Sequence, residues 1–150
     1  MVNDGYILYL AGEVDRADLA AALTELTASE VDIGDDGQDD RNWAAPVSCT
    51  ATPLAGDLRW HLDIYFTEAV VKTPPRSAAG AFLAGRLDTV VAYKGVELPP
   101  SAFWVVGPDG IRTRARIYDE DEGYLIDAVE QPVAALPLAP VAVIEPWLES

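Results

Sequence analysis

Strict alternation is the feature of this chain that most limits its fold. Between residues 58 and 66, Leu58, Trp60, Leu62, Ile64 and Phe66 take every second position, with Arg59, His61, Asp63 and Tyr65 between them. A period of two lays the first set on one face of a β-strand and the second on the other. One face must then be core, and the other is wet or functional. The pattern returns as Ile111, Thr113, Ala115 and Ile117 against Arg112, Arg114 and Arg116. A sheet built from such strands needs a cover on one side only.

The cover is legible as two stretches of helical period. Asp15 is a good N-cap, Asp18 lies in the first turn where the helix dipole favours acids, and Leu19, Leu23 and Leu26 share a face, predicting a helix over 15–27. After Pro74-Pro75, Ser77 can cap a second helix carrying Ala78, Phe82 and Leu87 inward, with Ala81, Ala84 and Gly85 small enough for close packing. Further strands are predicted at 6–12, 43–52, 89–93, 103–106 and 124–129, separated by turns at 55–57, 94–95 and 107–110 and by the acidic tip 119–123. The order β-α-β-β-α-β followed by hairpin strands predicts an α+β domain, a mostly antiparallel sheet with two helices packed on one face. A ferredoxin-like core with added hairpin strands is one topology that fits. The single domain is expected over 1–131. Pro137, Pro140 and Pro146 make a helix improbable beyond it, so 132–150 is expected to be an extended arm docked through Leu138, Val141, Val143 and Trp147.

Charge narrows the partners. Asp and Glu outnumber Lys and Arg by 25 to 10, a formal charge of -15, in a chain that is 50% hydrophobic and so able to fold. Such a surface repels nucleic acid and anionic lipid and speeds encounter with basic proteins. The apolar run 6–11 is too short for a membrane span or a signal-peptide core, so a soluble cytoplasmic protein is expected. Cys49 and His61 are the only residues of their types, which excludes an intrachain disulfide and a cysteine zinc cluster. Glycine-rich phosphate loops, Gly-x-Ser-x-Gly elbows and HExxH are absent, and no cofactor, metal or catalytic residue is expected.

Two acidic clusters are candidate contacts. The segment 32–40, DIGDDGQDD, offers Asp35, Asp36, Asp39 and Asp40 beside Trp43, a potential interface anchor. Placing Gly37 at the sixth position of an EF-hand loop puts Gly34 at the third and Trp43 at the twelfth, which speaks against calcium. With no apolar side chain after Ile33 to hold it, the segment reads as a solvated flexible loop. Asp119, Glu120, Asp121 and Glu122 form the second cluster, where crowded like charges would be relieved by a cationic partner. These features suggest an immunity or antitoxin-type inhibitor that occludes a basic toxin or nuclease. The alternative places His61, Asp63, Tyr65, Arg112, Arg114 and Arg116 around an anionic ligand on the open sheet face. For the arginines themselves, cross-strand pairing with acids such as Asp127 or Asp63 is the favoured expectation. Cys49 falls with Ala45, Val47 and Ala51 on what reads as a core face.

Overall fold

The computed structural model describes residues 4–147. Its elements run β1 (Asp4–Leu10), α1 (Arg16–Thr27), β2 (Val31–Asp35), β3 (Val47–Pro53), β4 (Trp60–Phe66), α2 (Arg76–Leu87), β5 (Val91–Lys94), β6 (Ala102–Val106), β7 (Arg112–Glu120) and β8 (Gly123–Val129). They form one α+β sheet of eight strands in the order β2-β3-β4-β1-β5-β6-β7-β8. Only β2 and β3 pair in parallel; every other neighbouring pair is antiparallel. Helix α1 connects β1 to β2 with β3 and β4 lying between them in the sheet, and β4-α2-β5 is a split β-α-β crossover with β1 between its strands. This connectivity brings both helices to the same side.

Alternation explains the main core. Leu8 and Leu10 of β1, Leu62, Ile64 and Phe66 of β4, Val47, Cys49 and Ala51 of β3, and Val91 and Tyr93 of β5 face Leu19, Ala22 and Leu23 of α1 and Ala79, Leu83 and Ala84 of α2. Asp15 occupies the N-cap of α1 with extended backbone, but its side chain makes no capping hydrogen bond. The second helix differs from its sequence reading. It begins at Arg76 behind Pro75 and buries Ala79, Gly80, Leu83 and Ala84, leaving Ala78 and Ala81 exposed. The Cβ that Gly80 lacks would stand 3.1 Å from the Tyr93 ring, so the close small-residue packing falls on Gly80 and, as expected, on Ala84, while Ala81 and Gly85 are exposed. A bidentate contact from Arg86 to Glu25 links the two helices, and it holds the Glu25 carboxyl below the usual carboxylate range.

The opposite face is not uniformly open. Its β5–β8 half rolls inward around a second core of Tyr9, Phe103, Val105, Ala115, Ile117, Ile126 and Val129. A register irregularity between Arg116 and Ile117 increases the local twist. Closure comes from β8 meeting the β3–β4 turn: the Asp57 amide donates to Tyr124 O at 2.7 Å, the Tyr124 amide to Ala55 O at 3.0 Å, and the Ile126 amide to Asp57 Oδ2 at 2.9 Å. Gly56 and Gly123 make this approach possible, since both have positive φ (94° and 118°) and a Cβ on either would overlap the other segment's backbone. Leu58, expected in the β4 core row, packs into this second core because the chain turns before β4 begins.

The tail from Pro132 runs beside β8, with the Val129 amide donating to Pro140 O at 2.9 Å and the Ala142 amide to Val129 O at 3.0 Å. Val133 and Ile144 are its buried residues, whereas Leu138 (94% exposed), Val143 (88%) and Val141 (55%) are exposed. The packing side of the tail is thus the reverse of the one expected for those three residues. Trp147 packs edge-on against Trp104, ring centroids 5.5 Å apart, and covers Gly95.

Candidate functional site

Register decides which of the candidate residues can meet. His61 pairs with Tyr9, Tyr9 with Ala92, Ala92 with Val105 and Val105 with Thr113. Arg112 instead pairs with Val106, Val106 with Val91 and Val91 with Leu10. Cross-strand partners share a face, so His61, Asp63 and Tyr65 lie on the side away from the helices and the three arginines on the helix side. The single anionic-ligand constellation of the sequence reading is therefore split by the sheet itself. The arginines are also engaged: Arg116 Nε donates to Asp127 at 2.6 Å, Arg114 pairs with Glu130 at 3.4 Å, and Arg112 reaches the Tyr93 hydroxyl at 3.2 Å. Cross-strand pairing to Asp127 is present; Asp63 is on the wrong face to take part. Arg112 and Arg114 also stack on Trp104, at 4.0 Å and 5.6 Å, and Arg114 on Trp147 at 5.4 Å.

The acidic segment is better held than its composition suggests. Val31–Asp35 pairs with β3, so the first half of the expected loop is a strand. Beyond it, the side chain of Arg41 folds back over Gly34 and is only 1% exposed. Its Nε donates to Asp32 at 2.7 Å, while the two terminal nitrogens reach Thr50 Oγ1 at 3.0 Å and Cys49 O at 3.1 Å. Gln38 bridges the tip, accepting from the Asp35 amide at 2.9 Å and donating to Asp40 at 2.8 Å. Asp35 pairs with Arg16, leaving Asp36 and Asp39 as exposed carboxylates that join no salt bridge among the described residues. A guanidinium does here what an apolar anchor does elsewhere. The signal was in the sequence: one arginine closes a run of aspartates, seven residues after a glycine that leaves room for it.

Arg41 also holds Trp43, its guanidinium carbon 4.4 Å from the ring centroid. The indole is 57% exposed and stands at the rim of a groove of about 320 Å³ lined by Trp43, Ser48, Thr50, Asp63 and Tyr65. A second groove, about 540 Å³, is lined by Ile7, Tyr9, Lys94, Phe103, Ile117, Asp119, Glu120 and Tyr124 among others. The two meet across the sheet, because Asp63 is the cross-strand partner of both Thr50 and Ile7. Trp43 and the Asp119–Glu120 side of the hairpin tip therefore flank the same open face as His61, Asp63 and Tyr65. Asp121 and Glu122 are exposed at the turn beyond. Asp63, Asp119 and Glu120 form no salt bridge among the described residues, and Lys94 of the second groove is occupied with Pro100 O at 3.2 Å.

Burial pushes the Cys49 thiol up to about 12, on the helix side of β3 and away from the grooves. Tyr9 is raised as well, first by burial and then by its hydrogen bond with Tyr124. His61 packs against Tyr9, ring centroids 5.3 Å apart. Among the described residues no three His, Cys, Asp or Glu side chains converge where a metal ion could sit, and no helix is long and apolar enough to cross a membrane. The chain matches no protein-family model, no curated protein and no solved structure.

Proposed function

We propose that this chain is a cytoplasmic binding protein of the immunity or antitoxin type, which occludes a basic toxin or nuclease with its open sheet face. What supports the reading above all is the juxtaposition on that face: exposed Trp43 and Tyr65 beside Asp63, with Asp119 and Glu120 lining the adjoining groove. Aromatic anchors surrounded by carboxylates suit a cationic protein surface, because the rings supply contact area while the charges steer approach. The main-chain closure at Gly56 and Gly123 and the Arg41 anchor keep both flanks ordered before binding, which lowers the entropic cost of association.

The test compares the immobilised wild-type chain with an Asp63→Asn, Asp119→Asn, Glu120→Gln triple variant as baits for lysate proteins. The wild type should retain a basic protein that the variant loses, and the purified pair should associate at a rate that falls at least about tenfold from low to high salt. Adding the chain should then block that protein's activity. Equal capture by both baits, or binding indifferent to salt, would refute the proposal.

A further inference from the structure

The groove beside Trp43 contains an unsatisfied group that the general charge argument does not use. Ser48 is 2% exposed, and its Oγ has no hydrogen-bond partner among the described residues. It sits on the open face of β3, opposite Tyr65 in the register, and lines the groove with Thr50, Asp63, Trp43 and Tyr65. A buried hydroxyl without a partner costs stability, so its presence at the floor of a groove points to a partner arriving from outside. The walls indicate what that partner is. Trp43 and Tyr65 supply aromatic rings, Asp63 adds a carboxylate, and Arg41, which stacks on the Trp43 ring, is already neutralised by Asp32 at 2.7 Å. Aromatic rings, an anion and a hydroxyl acceptor together match an organic cation with N–H donors.

We propose that this groove is a subsite for a single cationic side chain, arginine or lysine, of the partner protein. The cation packs against Trp43 and Tyr65, pairs with Asp63 and donates a hydrogen bond to Ser48 Oγ. The inference rests on the basic-partner reading given above and assigns the contact at its centre. Arginine and lysine share the chemistry, and the planar guanidinium adds stacking that ammonium lacks.

Short capped glycine peptides carrying one arginine, one lysine or one norleucine can be titrated into the isotope-labelled full chain and followed by amide and indole NMR shifts. The cationic peptides should move Trp43, Ser48, Asp63 and Tyr65, and the norleucine peptide should not. Asp63→Asn should weaken binding about tenfold. Ser48→Ala should weaken it several-fold without lowering the melting temperature, an outcome opposite to that of a hydroxyl serving the fold. An oligo-arginine peptide separates the two levels of argument. If it binds in a salt-dependent way but Asp63→Asn and Ser48→Ala leave its affinity unchanged, the subsite is overturned and the basic-partner reading stands. If it does not bind at all, both fall.

Discussion

Replacing Arg41 with alanine tests the central structural claim, that one guanidinium pins the acidic segment to the sheet. The side chain is almost wholly buried and makes three hydrogen-bonded contacts, to Asp32, Thr50 and Cys49 O, besides stacking on Trp43. Summed at face value, three charge-assisted contacts would give roughly 5–9 kcal/mol. That overstates the loss, because Asp32 keeps 21% of its side-chain surface in water and the 36–46 segment can lift to hydrate what remains. Breaking a buried pair by removing one partner usually costs about 3–5 kcal/mol, and this partial relief places Arg41→Ala near the lower end, at about 3 kcal/mol. For a domain of this length that corresponds to a melting temperature lower by about 6–12 °C. Urea unfolding of Arg41→Ala, Asp32→Asn and the double variant should yield a coupling of about 2 kcal/mol between the pair. Hydrogen exchange should accelerate at the amides of Asp35 and Gln38, whose partners lie within the loop. A loss below about 1 kcal/mol, with exchange over 35–43 unchanged, would show that Arg41 does not anchor the segment.

Gly34→Ala should reproduce part of that effect, roughly 1–3 kcal/mol by thermal denaturation, because the new Cβ would lie 2.6 Å from Arg41 Cδ and displace it. Gly56→Ala and Gly123→Ala should each cost roughly 2–4 kcal/mol, since each combines positive φ with overlap onto facing backbone; a urea midpoint unchanged in both would refute the closure described here. Alkaline pH should destabilise the fold. The unfolded Cys49 thiol ionises near 9.0 and the native one near 12, so its contribution is complete below pH 9. Above that the unfolded state sheds a proton that the native state keeps, and stability falls by about 1.4 kcal/mol per pH unit until the native thiol ionises. Tyr9 acts in the same direction from about pH 10 upward. Cys49→Ala and Tyr9→Phe should each flatten the decline, and a wild-type profile level from pH 8 to 11 would contradict the burial of both groups.

Much of the site was visible in the sequence as separate pieces. The alternation over 60–66 correctly divided Leu62, Ile64 and Phe66 from His61, Asp63 and Tyr65, because a pleated strand has no other way to place them. It could not say whether the polar face of β7 was the same face as that of β4. That depends on the register of every strand between them, and the register places them on opposite sides. The acidic run looked unanchored because anchors are usually sought among apolar residues, whereas Arg41 bonds to groups on two other strands. Leu138, Val141 and Val143 were assigned to the packed side of the tail on hydrophobicity alone, yet Val133 and Ile144 are the residues facing the body.

Local chemistry, then, was enough to determine an acidic α+β chain, its two helices, and the alternating strands that keep a polar face. Tertiary structure alone decided that the sheet rolls closed at Gly56 and Gly123, that the arginines turn away from His61, and that Trp43 and the Asp119–Glu120 tip flank one open face. The reason is physical: period and propensity act over a few residues, while these placements are set by long-range pairing, such as that of Tyr9 with Ala92, 83 positions away.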